Sequence, residues 1–411
     1  MAEIWSEGLR IRPTEGEAVF LPFTQIAKVD SADFGIHVTY ASGVVFLSSL
    51  GQGYTQFYQR LTDAWGDELA TALLMADDDD IFETRATYIN VRSDGSQSFG
   101  PCRARVTPTG LVILPVDSPP VKLQFAKFVS AQAQNLRMNI ETVDKGVVEL
   151  LRIGASYQSF CEKLVIAKRD FDGRFFEGLQ DVGQGVGSDR LLELSRLMAE
   201  GRALSRMEVM KRAYDFWLAL ERLVKDSPLA PSYASVQQLS IEELNSIGRR
   251  MTSQGNLVWF MVAIPGSVEE GGNTVAADLA SVTGHTTYLF RMLERAKFPA
   301  SSPKERLAAA KSTMREINEG LVSVGFKEGP IFLDETKLKT PFFSRYVYAS
   351  KNLPELRFIR DRFYGRVVRA NQGEWASDLK EALRFNVTSS DDSAKWMPSS
   401  GKTESPEMKP G

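Results

Sequence analysis

Hydrophobic positions early in the chain recur with two periods in succession. Ile36, Val38 and Tyr40 alternate with His37 and Thr39, the period of a half-buried strand, which puts His37 on its outer face. Leu9-x-Ile11 and residues 19–23 predict earlier strands, Ser42-Gly43 a tight turn, and residues 44–47 the returning strand. After Gly51 the spacing lengthens. Tyr54, Phe57 and Leu61 lie three and four apart, one stripe of an amphipathic helix.

The same switch is written twice. Residues 43–61 read GVVFLSSLGQGYTQFYQRL, and residues 146–164 read GVVELLRIGASYQSFCEKL. Gly-Val-Val, Leu, Gly, Tyr, Phe and Leu fall at identical offsets. With one residue inserted at the turn, the match extends back from Ile36 and Val38 to Met138 and Ile140, and from Leu21 and Phe23 to Leu123 and Phe125. Arg10-x-Arg12 then reads as the counterpart of Arg103-x-Arg105, with an insertion around residues 109–120 explaining the changed spacing. This duplication predicts modules over residues 1–76 and 77–168, with the acidic run 77–80 as a solvated linker. The shared residues are turn and core positions, so they preserve a fold. Positions that differ, such as Phe46 against Glu149 and Tyr58 against Cys161, are where the copies would differ in what they touch.

Several antiparallel strands closed by one C-terminal helix resemble the pleckstrin-homology-like (PH-like) barrel, over residues 9–64 and 81–167. The resemblance implies a binding module for a lipid headgroup, peptide or protein, without catalytic machinery. Phosphoinositide-binding members place a Lys and an Arg-x-Arg across the first hairpin. Arg10/Arg12 and Arg103/Arg105 match that only in part, and arginines two apart also describe the solvent face of a strand.

Beyond residue 168 the pattern turns helical. Leu191, Leu194 and Met198, then Val209, Ala213, Phe216, Leu220 and Leu223, predict helices over 189–197 and 207–224, with Ser188 as cap and Pro228 as stop. A helical-hairpin region over 169–250 would close with a short helix at 240–247, capped by Ser240 and Glu243. Residues 257–264, LVWFMVAI, read as a fully buried central strand. A glycine-rich loop at 265–273 precedes a hairpin turning at Thr283-Gly284-His285. A helix at 303–322 starts from Ser302-Pro303. A short strand at 331–333 and helices at 353–364 and 375–383 complete an α+β module over 251–385. Residues 386–411 read as a disordered tail. The fold class predicted is therefore α+β: two tandem PH-like modules, a helical hairpin and an α+β module.

Composition narrows the chemistry. In 411 residues there are two cysteines and two histidines, too few for a disulfide framework or an ordinary zinc site. No basic-then-apolar leader opens the sequence, and no apolar run is long enough to span a bilayer as a helix, so a soluble cytoplasmic protein without metal or cofactor is expected. Net charge is −3. Acids dominate the first 168 residues and bases dominate 294–385, which leaves an anionic partner open at the back. Gly183-x-Gly185-x-Gly187 lacks the preceding strand and the Gly-Lys-Ser/Thr of a phosphate loop and reads as a hinge. Asp278 and His285, near each other on the 257–293 hairpin, are the candidates for an acid–base pair, though no nucleophile accompanies them.

Residues 337–369 carry nine Lys/Arg against two Asp/Glu, interleaved with aromatics. Arg345, Tyr348, Arg357, Arg360, Tyr364 and Arg366 are the candidate partner contacts, suited to phosphate and stacking or to pairing with the acidic front half. Three readings follow. The first is a non-catalytic scaffold binding a protein partner through the modules. The second is an anionic-partner binder, for a membrane headgroup or nucleic acid, through 337–369. The third is an enzyme of unknown reaction in 257–293.

Overall fold

In the computed structural model the described residues are 1–13, 16–74, 79–252, 255–281, 284–333, 335–338, 340, 343–368, 371–389, 391 and 393–397. The chain is mixed α+β and divides into two compact units, residues 1–173 with 335–352, and residues 174–334 with 353–411. Among the described residues no helix is long and apolar enough to cross a membrane.

The first unit holds both copies of the repeat. Copy one runs β1 (Ala2–Ile4), β2 (Gly8–Ile11), β3 (Val19–Pro22), β4 (Ile26–Ala32), β5 (Gly35–Tyr40), β6 (Gly43–Leu47) and α1 (Tyr54–Ala72). Its strands form two separate antiparallel sheets, β1-β2-β3 and β4-β5-β6. Leu9, Val29, Ile36, Val38 and Leu47 from the strands and Phe23 from the turn after β3 meet Leu61, Trp65 and Leu69 of α1 in one core. Those helix residues recur every four, so one face of α1 is apolar throughout.

Copy two runs β7 (Phe82–Val91), β8 (Gln97–Val106), β9 (Gly110–Pro115), β10 (Val121–Gln124), β11 (Phe128–Gln134), β12 (Arg137–Thr142), β13 (Val147–Leu151) and α2 (Tyr157–Gln180). Here the strands join into one seven-stranded sheet, β10-β9-β8-β7-β13-β12-β11. The registers show how closely the copies agree. Ile26 pairs with Tyr40 and Phe128 with Thr142, and each ladder has its irregularity one step later, before Lys28 and before Ser130. Val38 pairs with Val45 and Ile140 with Val148, so the extra residue of copy two lies in the turn between β12 and β13, where the sequence predicts it.

One sequence match is corrected. Leu9 pairs with Leu21 as Leu111 pairs with Leu123, so β2 stands for β9 and Arg10 for Val112. Arg103 and Arg105 lie one strand earlier, on β8, and are not the counterparts of Arg10 and Arg12. The acidic run is corrected in part. Residues 77 and 78 lie outside the described residues, while Asp80 is no free linker acid, since its carboxylate lies 3.0 Å from Nε of Arg105.

α9 (Glu335–Leu338) and α10 (Ser344–Asn352) also belong to the first unit. The second unit is a six-stranded antiparallel sheet, β14 (Ala203–Ser205), β15 (Ser246–Thr252), β16 (Gly255–Ser267), β17 (Gly271–Ser281), β18 (Gly284–Arg291) and β19 (Phe363–Val368), in that order. Phe260, Val262 and Ile264 of β16 pack with α3 (Ser188–Leu197), α5 (Tyr214–Lys225), α6 (Ala230–Gln237) and α12 (Gln372–Thr388). On the other face Trp259 meets Phe326 edge-on and Tyr288 stacks on Phe332 at 3.7 Å, beneath α7 (Pro303–Ser323), α8 (Glu328–Phe332) and α11 (Pro354–Arg362). Burial on both faces is why 257–264 is apolar without alternation.

Several local expectations give way to tertiary pairing. The helix at 207–224 is two, α4 (Arg206–Met210) and α5, broken at residues 211–213. Residues 240–247 form a single 3-10 turn and then enter β15, whose Ser246 and Ile247 are buried in the sheet. Residues 331–333 end a helix and do not make a strand. α11 stops at Arg362, and Tyr364 passes into β19. Ser188 is the first residue of α3, with Gly187 as its cap. The predicted loop at 265–273 is mostly strand, because Gly266 and Gly272 allow β16 and β17 to approach backbone to backbone. The first part of the predicted tail is structured: α12 runs to Thr388, and the buried Trp396 donates its backbone N–H to Tyr364. The rest of that tail, 398–411, lies outside the described residues, as does position 283 of the predicted Thr283-Gly284-His285 turn.

Candidate interaction site

The six basic-aromatic candidates do not form one surface patch in a single unit. Arg345 and Tyr348 fall in the first unit, and Arg357, Arg360, Tyr364 and Arg366 in the second. Arg345 donates from Nε and Nη2 to the buried Glu68 carboxylate at 2.7 and 2.8 Å and lies 3.9 Å from Glu7. Those hydrogen bonds to Glu68 hold the pKa of the Arg345 guanidinium above the ordinary value. Tyr348 packs against the copy-one core, and burial pushes its phenol up to about 12.

In the second unit Arg360 donates to the carbonyls of Pro330 and Leu333 at 2.7 and 3.1 Å. Tyr364 is buried, its hydroxyl 2.8 Å from that of Thr274. Arg366 is half-buried on β19, opposite Tyr288. Arg357 is exposed on α11. Most of these side chains therefore hold the chain to itself, and Arg345 does so with acids of the front half.

Asp278 is fully buried on β17. Its Oδ2 accepts from Ser232 at 2.7 Å and Thr287 at 3.2 Å, and Thr287 in turn accepts from Trp375 Nε1 at 2.9 Å. The register sets Thr287, not His285, opposite Asp278, with His285 opposite Ala280. The His285 side chain lies outside what is described. In the glycine run, Gly183 packs on Leu191, where a Cβ would come within 2.4 Å of the leucine side chain.

Arg103 and Arg105 face α1. Arg103 reaches Asp67 at 2.9 Å and the Asp63 carbonyl at 2.9 Å, while Arg105 reaches Asp67 and Glu83 at 2.8 Å each. Burial raises Asp80 above the ordinary carboxylate range, against the pull of Arg105. These arginines join copy two to the helix of copy one. Of the other pair, Arg12 lies 3.6 Å from Glu3, and Arg10 lies over the Trp5 ring.

The copies differ most on the outer face of β5 and β6. There Phe46 is 52% exposed, against His37 with ring centroids 4.7 Å apart. A Cβ on Gly35 would fall 2.1 Å from the Phe46 ring, so the missing side chain lets that ring lie over the strand. Phe34, next in sequence, is 87% exposed in a turn where Asp33 and Phe34 take φ of 52° and 58°. Such a conformation is costly for a bulky residue. Phe34 meets Tyr54 edge-on at 6.4 Å, and Tyr54 stacks on Tyr58 at 6.4 Å. Phe34, Tyr54 and Tyr58 thus make a run of aromatic contacts, and Phe46 with His37 a second on the outer face of the strands.

In copy two Tyr157 keeps the place of Tyr54 and the exposed Leu136 that of Phe34, while the other two positions change character. Glu149 replaces Phe46, Arg137 replaces Gly35 and reaches Glu149 at 3.8 Å, and Cys161 replaces Tyr58. Gln132, Gln134, Asn135, Arg137, Asn139 and Glu149 line a shallow depression there. Phe46 and Tyr58 were legible as points of divergence. Phe34 was not, because its counterpart Leu136 is also apolar, and the positive-φ turn that exposes both is a property of the fold. No family model matches the chain, and no curated protein matches it.

Proposed function

We propose that the chain is a non-catalytic interaction protein, built on two tandem PH-like modules, whose first module binds a protein partner through Phe34, Phe46, Tyr54 and Tyr58. The carrying observation is the exposure of Phe34 and Phe46 beside the half-buried Tyr54 and Tyr58, with Phe46 and Tyr58 replaced in copy two by Glu149 and Cys161. Core and turn residues repeat because both copies need them to fold. Exposed aromatics give a folding chain little, whereas at an interface they are the residue type that most often carries affinity.

The alternative anionic-partner reading through 337–369 draws less support, since Arg345 and Arg360 are engaged within the chain. An enzyme using Asp278 would have to reach a carboxylate that is fully buried between Ser232 and Thr287. Affinity capture from native lysate separates the readings. Under the proposal, a partner retained by the native chain at high salt is lost with Phe46→Glu and kept with Arg357→Glu. Loss on adding salt, or with Arg357→Glu alone, would favour the anionic reading.

A further inference from the structure

Among the described residues the two copies differ by one strand. In copy two, β7 lies between β8 and β13 and joins the two halves of its sheet, with Phe82–Val91 paired to β8 and Thr87–Val91 of the same strand paired to β13. Copy one has strands standing for both neighbours. β6 is the counterpart of β13, and the register of β1 on β2 makes it the counterpart of the end of β8: Ile4 faces Leu9 as Val106 faces Leu111. Among the described residues nothing stands between them, β6 pairs with β5 alone and β1 with β2 alone.

The burial of matched residues registers the gap. Ala104, Val106 and Val148 are fully or almost fully buried, while their counterparts Ala2, Ile4 and Val45 are only half-buried. The edge also lacks the usual protection. β6 reads Gly-Val-Val-Phe-Leu, with neither a charge nor a proline to discourage pairing.

We propose that β6 takes up an extended segment of a partner protein as an added antiparallel strand, in the place β7 fills in copy two. This rests on the interaction reading above and specifies its mode, in which backbone hydrogen bonds give affinity and alternate side chains give specificity. β7 shows what the segment needs. Its inward positions Thr84, Ala86, Tyr88 and Asn90 are buried, alternating with residues that stay outside. Outward residues of the added strand would lie beside the exposed Val44 and Phe46. A second copy of this chain fits less well. Its β6 already carries β5 on one side and could cover only one of the two open edges, whereas a single inserted strand covers both.

The test uses the full chain and a free peptide copying residues 82–91, FETRATYINV, with amide hydrogen exchange read residue by residue. Saturating peptide should slow exchange across Gly43–Leu47 by about tenfold or more. A peptide N-methylated at every second residue, in each of the two phases, should show lost protection in at least one phase. Unchanged exchange of β6 at millimolar peptide overturns the proposal. So does equal protection by a peptide of the same composition with its alternation broken, or protection that rises with chain concentration without peptide, which would mean self-pairing. If Phe46→Glu abolishes partner capture while β6 stays unprotected, strand addition falls and the interaction reading stands.

Discussion

Arg345 holds Glu68 with two parallel hydrogen bonds of 2.7 and 2.8 Å across 277 residues of sequence. The carboxylate is buried and the guanidinium partly exposed, so the pair is neither a surface ion pair nor a fully desolvated one. Removing the arginine strands a charge in the wall of the copy-one core. Arg345→Ala should lower the stability of the first unit by about 2–3 kcal/mol. Glu68→Gln in the same background should recover part of that loss, measured by chemical denaturation.

Acid should act on Asp181. Arg249 donates to both of its oxygens at 2.6 and 2.8 Å, and those hydrogen bonds hold the carboxyl below its ordinary range. A depressed carboxylate stabilises the fold above the unfolded-state value near 3.8, and that contribution disappears as pH falls through the lower folded-state value. Asp181→Asn should cost about 1 kcal/mol at neutral pH, given the exposure of the carboxylate. Below about pH 4 the variant and native chain should converge. Parallel stability curves down to pH 2 would exclude the link.

The two thiols should label in order. Burial pushes Cys102 up to about 12, while Cys161 is raised less and is half-exposed on α2. Iodoacetamide at pH 8 should modify Cys161 in the native chain and Cys102 only once the first unit unfolds, as peptide mass spectrometry would show.

Two glycines should behave oppositely in size. Gly266 has φ +54°, and a Cβ there would sit 1.9 Å from the Gly271 carbonyl oxygen. Gly266→Ala should destabilise the second unit by about 3 kcal/mol or more, through clash and strain together. Gly95 has φ +81° with open space around it, so Gly95→Ala should cost only about 1 kcal/mol, the conformational part alone. Thermal melts of the two variants make the comparison.

Local signals were the legible ones. The repeat, its inserted turn residue, the apolar stripe of α1 and the Ser302-Pro303 helix start all rest on signals within short stretches. What the sequence hides is long-range pairing. Leu9 and Leu21 reveal by their ladder, not their spacing, that Arg10 stands for Val112. Ser246 and Ile247 become strand because β14 and β16 flank them, against a helix-start signal just upstream. That basic residues of 337–369 pair with the acidic front half was one of the readings open in the sequence, but not that Glu68 is the acid Arg345 meets. For the candidate site, divergence between aligned positions pointed to Phe46 and Tyr58, but the contact of Phe34 with Tyr54 required the turn geometry.

The return of α10 to the first unit has a consequence for synthesis. Residues 1–173 leave the ribosome first, and the helix that brings Tyr348 and Arg345 follows only after most of the second unit has been made. At ordinary elongation rates that interval is about ten to thirty seconds. During it, nascent copy one has its Tyr348 site unfilled, Glu68 without its arginine and β6 exposed at the edge. The newborn chain is thus most adhesive before its own last piece arrives, and a chaperone or partner would find its widest opening then.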